Sequence, residues 1–201
     1  PMRQPAIVAK QLATADLFAP GRVLLGAGVG WMREEYALLG VPFEARGARM
    51  DEALAVLDGL LAGGDFGFEG RHFRVPTCRM EPVPEQRIPI LIGGDSDAAL
   101  RRAARRDGWL GIDYSLGDLA KTLARLDAFR REAGRADAPF EIFAVCKEGV
   151  TAETVAAMAK LGVTMTQDYA WQYKGRLRSP LAEKKESMTR FAETYFSGQA
   201  R

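Results

Sequence analysis

The stretch "IPILIGGDSDAALRRAARRDGW" (residues 88–109) contains an apolar run, a glycine pair, a helix start and the opening of a second apolar run. Residues 89–93 are apolar on both faces, as a strand covered on both sides of a parallel sheet must be. Gly93-Gly94 suits a tight turn, and Ser96 can cap a helix over 97–106. A strand resumes over 109–113. A strand–helix–strand order of this kind suits a parallel pair joined by a right-handed crossover.

The same alternation extends in both directions. Further strands are predicted over 23–28, 140–146 and 163–168. Pro5 suits a first helical turn, after which Ile7, Val8, Gln11, Leu12 and Ala15 share one face. Met50, Leu54, Leu57 and Leu61 form an apolar stripe that Gly63-Gly64 stops. Asp118 can cap a helix carrying Leu119, Leu123, Leu126 and Phe129, and Thr151 one ending near Leu161. Ser179-Pro180 can open a last helix with Leu181, Met188, Phe191 and Tyr195 at helical spacing. The order is a helix followed by five strand–helix units. That pattern means a single α/β domain over 1–201, with a parallel sheet and ligands at the carboxyl ends of the strands. One excursion, 64–87, interrupts it. There Phe66, Phe68, Phe73 and Val75 around Glu69-Gly70 predict a small hairpin, with His72 in its loop or at a partner contact.

Upstream, "LLGAGVGWMREEY" (24–36) places Gly26, Gly28 and Gly30 at alternate positions after an apolar run. A dinucleotide fingerprint needs Gly-x-Gly-x-x-Gly. The third glycine would fall at Trp31 in one register and at Arg33 in the other, so both fail. Alternate glycines on one strand face suit close approach of a flat ring or backbone, or crowding inside a barrel. At the second glycine pair, Gly93, Gly94, Asp95 and Ser96 suit an anion site at a helix start, or only a tight turn with a cap.

Composition narrows the classes. The 28 basic and 26 acidic residues nearly cancel, leaving +2, which gives no basic footprint for nucleic acid. The RRAARR run at 101–106 is expected to be a solvated helix face. One histidine and two cysteines in unlike contexts, Cys78 and Cys146, supply neither a metal cluster nor a disulfide framework. No apolar run has the roughly 20 residues of a membrane span, and no signal peptide opens the chain. The expected compartment is the cytoplasm.

Three separated segments carry a family resemblance: "GRVLLGAGVGWMREEYALLGVPFEARGARMDEAL", "FEGRHFRV" with "RMEPVPEQRIPILIGGDSDAALRRAARRDGW", and "SPLAEKKESMTRFAETYF". In this order, over nearly the whole chain, they resemble the bacterial luciferase-like monooxygenases, and within them the branch using the deazaflavin coenzyme F420. The resemblance implies a (β/α)8 TIM barrel with a deazaflavin or isoalloxazine ring at its C-terminal mouth. It puts Gly28, Val29 and Gly30 beside ring and substrate, and Gly93, Gly94, Asp95 and Ser96 on the cofactor tail. Relatives often have His in "GGHS", where this chain has Asp95. Such a barrel needs about 250 residues. This chain is expected to supply strands four to eight with their helices, leaving open edges that a homodimer or other oligomer covers.

The implied activity is F420- or FMN-dependent hydride or oxygen transfer to a small organic substrate. The alternative is a non-catalytic remnant that binds flavin weakly or serves as an oligomeric interaction protein. Trp31 could stack on ring or substrate. Glu34, Glu35 and Tyr36 sit at the start of a helix near the mouth, where acidic residues also serve as dipole partners. Asp113, Asp168 and Tyr169 fall at later strand ends, where barrel chemistry resides.

Overall fold

A computed structural model describes residues 1–168 and 179–196. Strands β1 (Leu25–Ala27), β4 (Ile90–Gly93), β5 (Gly108–Tyr114) and β6 (Glu141–Cys146) form one parallel sheet in the order β1-β4-β5-β6. Between β1 and β4 lie helices α2 (Arg33–Leu38) and α3 (Arg46–Leu61) and the antiparallel hairpin β2 (Asp65–Glu69) and β3 (Arg74–Arg79). Helix α1 (Pro5–Phe18) precedes the sheet. Helices α4 (Asp97–Ala103), α5 (Leu116–Glu132), α6 (Ala152–Lys160) and α7 (Leu181–Tyr195) follow.

Parallel register sorts the side chains onto two faces. Leu25, Ile90, Ile92, Trp109 and Ala144 turn toward the helices, where they pack with Leu54, Leu57, Leu100, Leu119 and Met158. Each buried Leu or Ile contributes about 1.5–3 kcal/mol, so this layer carries most of the fold's cohesion. Gly26, Leu91, Gly93, Gly108, Leu110 and Phe143 alternate onto the opposite face. Gly26 is exposed there, and Leu110 and Phe143 are only half-buried. On β1, the Leu25 N–H donates to the Pro89 carbonyl, so Leu25 and Ala27 bond toward β4 and Gly26 points its N–H and C=O outward. β1 is thus an open edge among the described residues.

Four expectations change. The strand over 163–168 is reduced to a single parallel bridge between Phe143 and Met165, so four full strands and one bridge stand where five were predicted. Next, α1 turns Pro5, Ala9, Ala13 and Asp16 inward, and leaves Ile7 59% exposed. Ala9 and Ala13 are small enough for α1 to lie against α3, and the Asp16 carboxylate is satisfied by the Gly21 N–H at 3.0 Å. Third, α5 is capped by Ser115, whose Oγ accepts from the Asp118 N–H at 3.2 Å; Asp118 sits inside the first turn.

The arginine run also differs from a solvated face. Arg102 and Arg106 are largely buried between helices, paired with Asp51 and Asp58 of α3, while Arg101 pairs with Glu132 of α5. Arg102 lies on α4 and Arg106 in the turn that ends it, and both reach α3; the helix predicted over 97–106 ends at Ala103. The hairpin forms as expected. Its turn is held by Glu52 of α3, whose carboxylate accepts from the N–H groups of Arg71, His72 and Phe73 at 2.8–3.0 Å.

Candidate functional site

All four strands end at the same edge of the sheet, and the sequence-predicted residues gather along it. Ala27 pairs with Ile92, so Gly28 stands beside Gly93 as the two strands run out. The carboxyl ends of β5 and β6 add Asp113 and Lys147 to the same edge. The two glycine segments, far apart in sequence, therefore adjoin in space.

The three glycines at 26, 28 and 30 serve different purposes. A Cβ on Gly26 would stand 3.1 Å from Cδ1 of Leu110, which lies across the sheet face above it. The same leucine's Cδ2 lies 3.7 Å from where a Cβ on Gly93 would be. Gly26 is thus a packing glycine, as barrel crowding requires. At Gly28 nothing lies within 4 Å of where a Cβ would stand, so open space faces it. Gly30 has φ +78°, a left-handed conformation that other residues adopt at a cost.

The loop after β1 is pinned from below. The hydroxyl of fully buried Tyr36 donates to the Val29 carbonyl, and Phe43 meets the Tyr36 ring edge-on at 5.2 Å. Burial pushes the Tyr36 phenol above its usual range, against the pull of Arg46 and Arg49. It remains a neutral donor. Trp31 follows at 81% exposure, and Glu34 lies exposed in the first turn of α2. Gly26 and Gly28 also border a cavity of about 230 Å³ walled by Pro5 and Val8 of α1 and Met50, Ala53 and Leu54 of α3. A larger cavity, about 540 Å³, lies at the opposite end of β4 around Arg87 and Ile88, away from the glycine turns.

At the second turn, Ser96 Oγ accepts from the Ala99 N–H at 3.3 Å and caps α4. Arg125 of α5 reaches the Asp95 carbonyl at 3.2 Å and the Asp97 carboxylate at 2.5 Å. That guanidinium offsets acidic charge beside a turn that would have to meet an anion. The indole Nε1–H of Trp109 donates to the Gly94 carbonyl at 2.8 Å.

Asp113 is the one non-glycine residue with positive φ among the described residues, at +67°. It sits in an irregularity of β5 between Gly111 and Tyr114, and its exposed carboxylate lies 3.8 Å from Lys147 Nζ. Burial, followed by the charge of Asp95, pushes the neighbouring Tyr114 phenol up. Asp168 is half-buried just beyond the Met165 bridge, apart from the two glycine turns in the sheet order. Tyr169 lies outside the described residues.

Trp109, Arg125 and Lys147 escaped the sequence reading; Tyr36 was placed with Glu34 and Glu35 at the helix start near the mouth, and is a buried support of the loop. Only Trp109 carried a signal: a tryptophan on a buried strand needs an acceptor for its N–H. No group of three or more His, Cys, Asp or Glu side chains suited to a metal occurs among the described residues. No helix among them is long and apolar enough to cross a membrane.

A family model described as luciferase-like monooxygenase matches residues 1–195. An uncharacterised protein of Mycobacterium bovis is 43% identical over 164 residues, which cover 82% of this chain and 57% of that protein. A pyrimidine monooxygenase of Allorhizobium ampelinum is 30% identical over 151 residues, covering 70% of this chain and 41% of that one. The chain thus spans about half the length of these curated relatives. Among solved structures, an F420-dependent secondary alcohol dehydrogenase with an F420–acetone adduct aligns at TM-score 0.63 and 24% identity, over 70% of this chain and 44% of that one. The monooxygenase RslO1 of Streptomyces bottropensis aligns at TM-score 0.63 and 21% identity, over 98% and 56%. These two share the fold, and the parallel strands and helices described above form part of a TIM barrel. The chain belongs to the luciferase-like monooxygenase family.

Proposed function

We propose that this chain forms one wall of a flavin-type redox site and serves an oxidoreductase that transfers hydride or oxygen to a small organic substrate. The observation that carries the reading is the adjacency of Gly28 and Gly93 at the strand ends, with open space at Gly28. A planar ring can approach backbone there without meeting a side chain. The cofactor supplies the redox chemistry when bound, and the protein supplies position and electrostatics.

Coenzyme F420 is the cofactor we favour, with FMN as the alternative. A dimethylsulfone monooxygenase of Pseudomonas fluorescens named as FMNH2-dependent is 36% identical over 109 residues, covering 53% of this chain and 30% of that protein. Val29 and Gly30 shape the loop beside the ring, and exposed Trp31 offers a stacking face. Gly93, Gly94, Asp95 and Ser96 receive the cofactor tail. Asp113, held beside Lys147, is the strand-end group best placed to meet substrate, ahead of Glu34 and Asp168. We place the protein in the cytoplasm, a setting in which its two free cysteines stay reduced.

Dialysis against F420 and FMN in parallel, followed by absorbance of the retained protein, tests the cofactor. Retention of either at tens of micromolar is expected; retention of neither overturns the reading and favours the non-catalytic remnant. The open β1 edge supports a second proposal, a homodimer or other oligomer covering it. A size-exclusion profile at the monomer mass of 22.0 kDa would contradict that.

A further inference from the structure

Trp109 is completely buried, and its single polar atom has one partner, the Gly94 carbonyl at 2.8 Å. The surroundings are arranged to keep the indole in that pose. A Cβ on Gly111, two residues along β5, would overlap the six-membered ring of Trp109. Tyr114 closes the other side edge-on, with ring centroids 5.6 Å apart. Leu100, Ala103 and Leu119 are buried in the same core cluster.

The acceptor is equally constrained. Gly94 has φ +120°, and a Cβ there would stand 3.0 Å from the Ala99 side chain. The turn is therefore made by a residue with little conformational preference of its own. Gly94 is exposed, and the Asp95 carbonyl that follows it accepts from Arg125 on the outside. Between the Gly93–Leu110 pairing before it and the Ser96 cap of α4 after it, the indole N–H is the tie from the Gly94 carbonyl to the buried core.

We propose that Trp109 is a positioning residue. By holding the Gly94 carbonyl, it sets the plane of the Gly94–Asp95 peptide at the end of the glycine turn and so presents that backbone to the tail of the bound cofactor. The proposal rests on the cofactor reading above. Trp109 touches no ligand; it acts through Gly94. Burial makes the hydrogen bond costly to lose, since both an indole N–H and a carbonyl would remain unpaired.

The test uses Trp109→Phe, which keeps an aromatic ring in the core and removes the donor. Backbone 15N order parameters at Gly94 and Asp95 should fall from about 0.85 toward 0.6 as the turn loosens. Amide exchange in the 90–92 ladder and in α5 should stay unchanged, which a general loss of packing would not allow. The Kd for FMN should rise about five- to tenfold, the size expected for one net hydrogen bond. Should the variant fail to fold, the native protein still decides the matter. Its Trp109 indole N–H resonance should exchange slowly and move on addition of FMN, and an indole signal unmoved at saturating FMN overturns the proposal.

Unchanged order parameters at the turn in Trp109→Phe also overturn it, whatever happens to binding. Lowered order parameters with unaltered FMN affinity overturn the link to the cofactor. Native protein that retains neither FMN nor F420 refutes the cofactor reading and this role with it. The order parameters separately report whether the indole orders the turn.

Discussion

Arg102 on α4 grips Asp51 on α3 with two nitrogens, Nε at 2.6 Å and Nη2 at 3.1 Å from the two carboxylate oxygens. The Arg102 side chain is 13% exposed and Asp51 61%, so water screens the pair from one side only. Nη2 also approaches the Gly47 carbonyl at 3.4 Å. Arg102→Ala should lower stability by about 1 kcal/mol, part of it lost stem packing. A double-mutant cycle with Asp51→Ala, followed by urea unfolding, separates the two contributions. Full additivity would mean the pair contributes nothing.

Glu52 governs the β2–β3 hairpin. Burial alone would raise its carboxyl pKa, but hydrogen bonds from the His72, Phe73 and Arg71 N–H groups outweigh that and hold it below the usual range. A carboxyl depressed in the folded state stabilises above its unfolded pKa, about 4.3, and that contribution fades as pH falls through the lower folded value. Amide exchange at 71–73 should therefore quicken as pH drops below about 4.3, after correction for intrinsic rates. In Glu52→Ala it should be fast at every pH. Protection retained in that variant would refute the clamp.

Gly59 lies in the middle of α3, where alanine would ordinarily improve the helix by about 1 kcal/mol. Here a Cβ would overlap the Phe66 ring of β2. Gly59→Ala should instead lose about 1–2 kcal/mol, because overpacking outweighs propensity. Adding Phe66→Leu should recover part of the loss. Thermal melts of the single and double variants check both statements.

Gly28 is expected to behave in the opposite way. With nothing within 4 Å of its Cβ position, Gly28→Ala should leave Tm nearly unchanged. Gly28→Phe should fold as well but lower FMN and F420 retention at least tenfold by occupying the space assigned to the ring. Equal retention by Gly28→Phe would move the ring elsewhere.

The parallel sheet was legible because its strands are apolar on both faces and alternate with capped helices. β4, β5 and β6 fall within a residue or so of the predicted bounds. The strand over 163–168 was not, since apolar content says nothing about whether a partner backbone lies in register; only Thr164 and Met165 bond to the backbone of β6 among the described residues. The α1 face was misread because hydrophobicity favours Ile7 and Leu12, whereas close approach of two helices selects Ala9 and Ala13. At the site, the glycines could be found but not told apart. What distinguishes Gly26 from Gly28 is Leu110, contributed by a distant strand. The partners of Trp109 and Arg125 lie 15 and 30 residues away, and that of Tyr36 lies seven residues back across the loop, so none of the three could be named from sequence spacing.

Leu110 also ties the histories of two segments together. One branched side chain lies against both Gly26 and Gly93, tightly at the first and at ordinary contact distance at the second, so volume gained at Gly26 must be surrendered at Leu110. Alanine at Gly26 would be accommodated where Leu110 has shortened to valine, and that exchange would in turn loosen the contact beneath Gly93. Across descendants of this sequence Gly26 and Leu110 should drift together, and a change at Gly26 alone should mark a barrel whose cofactor edge has been rebuilt.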